Sequence, residues 1–213
     1  MMLQRLSWLL VCGIACRERA LPAVDRCEVA ASAELAGRDL HGCNFSEWDG
    51  LRGANLERAR LDGADLSHAD LRGARLAGAS LVAATAIGTN FGEADLAHAK
   101  LDRLDASGAR FIRAKLTGAS CSKANLSATD FEGADLQSAD FSNARLDPTR
   151  MHAAVLNGAS FAGAALAFVP DAASWLGATC PDGSQIRDAG DDCNAHRLPT
   201  MVPRIKPRDG GKP

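Results

Sequence analysis

Residues 61–80 read "LDGADLSHADLRGARLAGAS", where GAD, HAD, GAR and GAS return at steps of five. A helix presents one face every ~3.6 residues and a strand every ~2, so neither explains a period of five. A fixed internal period has to be interpreted before any local secondary structure. Outward from this stretch, every fifth residue from Leu51 to Leu166 is apolar, 24 consecutive positions in unbroken register. Two residues before each of them, Ala stands at 19 of the 24, the exceptions being Asp49, Thr89, Leu104, Thr129 and Thr149. An earlier copy, "GRDLHGCNF", carries Leu40 and Phe45 in the same phase, and one extra residue within "SEWDG" (46–50) then shifts the frame.

This A-[D/N]-L-x-x pattern resembles the pentapeptide-repeat family, over roughly residues 35–167. The resemblance implies an all-β fold, a right-handed quadrilateral (four-sided) parallel β-helix. Each side would hold one pentapeptide and each coil twenty residues, with the central Leu or Phe and the preceding Ala pointing inward. The expected solenoid has about six to seven coils with disulfide-capped ends. The sequence itself tests this geometry. Residues twenty apart should stack at strand spacing, about 4.8 Å. One column is all Leu: Leu56, Leu76, Leu96, Leu116, Leu136 and Leu156. A second stacks Phe91, Phe111 and Phe131, and a third ends on Phe141 and Phe161. The fourth places Ala86 beside Ala106. Residue types segregate by column, which a bare period of five would not produce.

The columns account for the composition. The chain has 213 residues, 46% hydrophobic but only 5% aromatic, with no Tyr. Four large inward side chains per coil leave room only for Ala as the second inward residue. Gly before that Ala, as at Gly63 or Gly118, falls where the chain turns a corner. At the outward position before each central residue, Asp or Asn fills 10 of 24 places and Arg or Lys 7. Down one column run Asn55, Arg75, Asp95, Lys115 and Asp135, and down another Asp70, Asn90, Arg110, Asp130 and Arg150. The expectation is a ladder of alternating charges that neutralise their stacked neighbours. In "LDRLDASGAR", Leu104 replaces the inward Ala and Ala106 replaces the Leu, which reads as compensating core volume.

The N-terminus reads as a signal peptide over residues 1–16: Arg5, an apolar run from Leu6 to Ala15, then the charged Arg17–Arg19. Such a run is too short to span a bilayer permanently. "GIAC" resembles a bacterial lipobox, departing from it at Gly13, and makes Cys16 the candidate for lipidation. Beyond the signal, Cys27 and Cys43 precede the repeats, Cys180 and Cys193 follow them, and Cys121 lies inside. In an oxidising compartment the natural pairing is Cys27–Cys43 and Cys180–Cys193. The chain thus divides into an N-terminal cap with the first repeats (27–50), the β-helix (51–167), a Cys-loop cap (168–198) and a disordered tail (199–213). Trp175 or Phe168 would cover the last apolar layer and Trp48 the first. The "TCPDG" ending resembles those of secreted pentapeptide-repeat proteins.

No motif points to chemistry. His41, His68, His98, His152 and His196 fall on different coils, sides or tails. Asp102 and Asp105 flank the Leu104 irregularity, and Cys121 stands at a central inward position. The expectation is no catalytic, metal or cofactor site. A net charge of −2 gives no electrostatic case for binding nucleic acid or an anionic membrane. The expected protein is a non-enzymatic, exported structural or protein-interaction scaffold in the cell envelope. It would be periplasmic, an outer-membrane lipoprotein or extracellular, with an unidentified protein partner, and would touch membrane only through a lipid on Cys16. The alternative within the family is a gyrase-binding DNA mimic. Members of that kind carry strongly acidic faces and dimerise through a C-terminal helix. Here Arg75, Arg110, Lys115 and Arg150 interrupt the acidic columns, and the chain ends in a Cys loop.

Overall fold

A computed structural model describes residues 27, 29–31, 33–166, 174–187 and 193. The expected signal peptide with Cys16, Phe168, His196 and the tail lie outside the described residues. Each pentapeptide contributes a single bridge residue, a large inward side chain and a tight turn. The bridges are parallel and join residues twenty apart: Asn55 to Arg75 to Asp95 to Lys115 to Asp135 to Val155 on one side, with equivalent ladders through Arg60, Asp65 and Asp70. Four ladders interleaved at five-residue steps make a four-sided coil. The sides are named below by their first inward residue, Leu51, Leu56, Leu61 and Leu66.

Backbone polarity is satisfied between coils as well as within them. Leu76 N donates to Asp95 O at 2.6 Å, and Arg75 N to Ala54 O at 2.9 Å. Each corner is a four-residue turn closed by a bond such as Ala54 N to Leu51 O, 3.0 Å. The third residue of that turn has positive φ, +65° at Gly53, the type II pattern. Non-glycine residues take the same conformation at many corners, among them Arg58 at φ 54° and Lys123 at φ 60°.

The central residues and their Ala partners are buried along the whole rod. Phe91 and Phe111 stack with ring centroids 4.8 Å apart, as do Phe111 and Phe131, and Phe141 stacks on Phe161 at 5.2 Å. Phe131 and Phe141, on opposite sides of one coil, meet edge to face at 6.1 Å. One coil earlier Phe111 faces the smaller Cys121. Leu104 and Ala106 are both fully buried, so the exchange of large and small keeps that coil filled. The inward Thr residues are buried without loss of hydrogen bonding. Thr89 Oγ1 donates to Leu66 O at 2.7 Å and Thr129 Oγ1 to Leu126 O at 2.6 Å.

The ends depart from the period of twenty. Glu34, Asp39 and Asn44 bridge to Asn55, Arg60 and Asp65, an offset of 21 that absorbs the extra residue. Trp48 O accepts from Asp70 N at 3.0 Å, the role Ala69 O plays for Asn90 N one coil later. Trp48, rather than Asp49, therefore holds the small-residue position in the ladder, which corrects the frame drawn from sequence at that point. Its ring stacks on Phe45 at 5.7 Å. At the other end the offset falls to 19, Val155 pairing with Ser174 and Ser160 with Thr179. The chain then folds back, with Thr179 antiparallel to Gln185 and Ile186 N donating to Ala178 O at 2.9 Å. Trp175 packs on Phe161 at 5.5 Å. Disulfides join Cys27 to Cys43 and Cys180 to Cys193, each with Cα atoms 5.4 Å apart.

Candidate functional site

The outward Asp and Asn side chains are committed to the turns. Asp65 Oδ1 accepts the Ser67 amide at 3.0 Å, Asp105 Oδ1 that of Ser107 at 3.1 Å and Asp140 Oδ1 that of Ser142 at 2.9 Å. Such Asx turns explain why this position takes Asp or Asn. The expected charge-neutralising ladder forms only in part: the bridge partners Asp39 and Arg60 come within 3.5 Å. Asp130 and Arg150 come within 3.8 Å, but Arg75 pairs with Glu57 on the preceding coil rather than with Asp95, and Arg72 with Asp70 two residues away at 2.6 Å. The chief role of these carboxylates is local turn capping.

Three outward carboxylates are held below the ordinary range. For Asp62, burial works to raise the pKa, but the Ser80 hydroxyl, the Val82 amide and Arg60 outweigh it. The Ser67 amide and hydroxyl lower Asp65, and hydrogen bonds from Arg72 lower Asp70. Burial pushes the free Cys121 thiol far up, with Asp102 and Asp140 adding to it, so the thiol stays protonated.

The residues that the sequence offers for chemistry are not brought together by the fold. Asp102 accepts the Ser120 hydroxyl at 2.5 Å on the Leu61 side. Asp105, on the Leu66 side, caps its turn and accepts from Asn125 Nδ2 at 3.0 Å. The His68 and His98 rings fill the space a Cβ would take at the corner glycines of the next coil, Gly88 and Gly118, where it would lie 2.7 and 2.6 Å from Nδ1. Among the described residues no group of three or more His, Cys, Asp or Glu could hold a metal ion.

One concave feature stands out. Along the first coils of the Leu51 side runs a groove of about 860 Å³ whose lining includes Arg52, Arg72, Asn90, Arg110, Ile112 and Arg113. Asp49 and Glu93 supply its carboxylates, and Gly50, Gly53, Gly73 and Gly92 form its floor. A Cβ at Gly53 or Gly73 would meet nothing within 4 Å, whereas one at Gly50 would run into the Trp48 ring and one at Gly92 would lie 3.2 Å from Asn90 Oδ1, so the lining is open at Gly53 and Gly73. The groove is not visible in the residues before each central position, which carry the turn caps. The signal lies in the next two positions of the same column, which read Arg52-Gly53, Arg72-Gly73, Gly92-Glu93 and Ile112-Arg113.

The family of pentapeptide repeats matches residues 51–85, 74–111, 109–147 and 134–167, in eight copies. Among solved structures, the chain is similar to HetL of the cyanobacterium Nostoc sp., a pentapeptide repeat protein involved in heterocyst differentiation regulation. The identity is 23% over 70% of this chain and 91% of that one, with a TM-score of 0.32. It is also similar to QnrB1, a plasmid-mediated fluoroquinolone resistance protein, at 21% identity over 68% and 77% of the two chains, with a TM-score of 0.44. A pentapeptide repeat protein of the Arabidopsis thaliana thylakoid lumen matches at 26% identity over 55% and 70%, with a TM-score of 0.26. No curated protein sequence matches the chain. The family match covers more than half of the sequence and coincides with the stacked four-sided coil: this chain belongs to the pentapeptide-repeat family, whose fold is the right-handed quadrilateral β-helix.

Proposed function

We infer that this protein is a non-enzymatic, exported scaffold of the cell envelope that offers the sides of a rigid rod to protein partners. The observation that carries this reading is the pair of disulfides at the two ends of the repeat, since such bonds persist in oxidising compartments and are rare in cytosol. The signal-like N-terminus supports it independently. So does the use of the outward carboxylates as turn caps, which leaves them engaged in holding the coil. The disulfide-bonded ends act as caps on a stack whose terminal coils have a neighbour on one side only.

Cell fractionation combined with thiol alkylation tests the reading. The expected result is a protein outside the cytosol whose native form resists alkylation at Cys27, Cys43, Cys180 and Cys193. A cytosolic protein with those thiols free would sink it. The DNA-mimic reading makes a different prediction, inhibition of gyrase supercoiling at rising protein concentration. With Arg75, Arg110, Lys115 and Arg150 set among its carboxylates, this rod is expected to leave supercoiling unchanged. Affinity capture of the mature protein from its own envelope then identifies the partner.

A further inference from the structure

We propose that the arginine-lined groove on the Leu51 side binds an extended, acidic peptide segment of a partner protein. The inference rests on the scaffold reading only in taking the partner to be a protein. The charges in the groove divide into two kinds. Arg72 is already bonded to Asp70, with Glu93 nearby. Arg110 and Arg113 are exposed and make no ion pair or side-chain hydrogen bond among the described residues. Two planar guanidinium groups are thus available for carboxylates, which they bind in a bidentate manner.

The open positions at Gly53 and Gly73 suit a main chain, since a peptide backbone can approach closely there. The lining spans the coils that carry Arg52, Arg72, Asn90 and Arg110, three steps of about 4.8 Å, a length covered by about four extended residues. Asn90, whose Oδ1 accepts the Gly92 amide at 3.1 Å, offers its Nδ2 to a backbone carbonyl, and Ile112 offers an apolar contact. The carboxylates of Asp49 and Glu93 oppose any anion, and more strongly the denser its charge. A DNA duplex carries a charge every ~1.7 Å, about twice the density of an extended acidic peptide at about 3.3 Å per residue, so the duplex is disfavoured more. A peptide meets them with its own N–H donors.

Fluorescence anisotropy with a labelled octa-glutamate peptide tests the proposal on the disulfide-intact protein, with duplex DNA and an oligo-uronate as rival probes. The peptide is expected to bind in a salt-dependent way, and Arg110→Glu/Arg113→Glu to weaken it by roughly tenfold or more. Arg103→Glu/Lys123→Glu, an equal charge change on the Leu61 side, is expected to have little effect. Gly73→Asn, tolerated at positive φ, is expected to weaken binding several-fold without changing charge. Equal losses from both charge pairs, unchanged affinity in Gly73→Asn, no peptide binding, or tighter binding of DNA or uronate would each overturn the proposal. Thermal unfolding of each variant separates lost binding from lost fold. An exported protein that fails to bind removes the groove alone, whereas a cytosolic protein that binds removes only the envelope reading.

Discussion

Gly118 has two reasons to be glycine. Its φ is +65°, and a Cβ there would lie 2.6 Å from His98 Nδ1. The first reason alone is weak, since Arg58, His98 and Lys123 all tolerate the same corner conformation. The side chain stacked above from the preceding coil decides the residue. Gly118→Ala is therefore expected to cost about 1–3 kcal/mol. Gly73→Ala, with nothing within 4 Å, should cost only its φ contribution, about 1 kcal/mol. In urea titrations, His98→Ala/Gly118→Ala should recover most of the difference; no recovery would show that φ alone sets the cost. The outward carboxylates make a second prediction, Asp65 and Asp70 as turn caps and Asp62 through its bonds to Ser80 and Val82 of the next coil. Asp62, Asp65 and Asp70 have folded pKa values below their ordinary 3.8, so the unfolded chain binds more protons through that window. Their contribution is fully present above 3.8 and lost as pH falls through the lower folded values. Melting temperature should drop below about pH 4, and less steeply in Asp62→Asn. The capping role is legible in the sequence, though not through charge. Over the 24 repeats from Leu51, the position before each central residue carries ten Asp or Asn and no Glu, a preference for the short side chain that reaches its own turn.

Among elements, the Leu66 side shows how one coil borrows volume from itself. Its small-residue position reads Ala84, Leu104, Ala124 down the stack, and its large position Ala86, Ala106, Leu126. All six are essentially buried. Leu104→Ala should open a cavity and cost about 2–5 kcal/mol. Ala106→Leu should overpack the same space and cost about 1–3 kcal/mol. The double variant restores the ordinary repeat, so its loss should be well below the sum of the two. A double-mutant cycle read by chemical denaturation measures the coupling, and additive losses would mean that the two side chains do not share one space. The period of five makes this pair visible in the sequence, because each departure stands against many regular copies. The groove on the Leu51 side offers no such contrast. Its Arg and Gly residues obey the repeat, and their concavity arises only when four coils are stacked.

At the scale of the molecule, the sequence is readable where residues repeat and harder to read where they stop. The offset of 21 at the N-terminal end is visible as one extra residue in "SEWDG", yet which residue takes the ladder position is decided by backbone bonding to Trp48 O. The offset of 19 at the other end is harder to see, although "SWLGATC" continues the pattern through Trp175 and Cys180 one residue early. The next step of five after Leu166 falls on Asp171, so the apolar pattern in the sequence does not carry the frame across. These ends matter because a stacked rod is held by contacts between neighbouring coils, and its terminal coils have only one neighbour. The Cys180–Cys193 bond closes a loop of sequence separation 13, worth about 3 kcal/mol in the chain-entropy view. That gain should stay local. In Cys180→Ser/Cys193→Ser, amide exchange is expected to speed up at Gly177, Ile186 and the Phe161 coil beneath them, while Leu96 and Leu116 keep their protection. The backbone bonds to follow are Gly177 N to Ile186 O and Phe161 N to Thr179 O, both 2.8 Å. A uniform loss of protection down to Leu96 would instead make the rod one cooperative unit, in which a cap stabilises every coil equally.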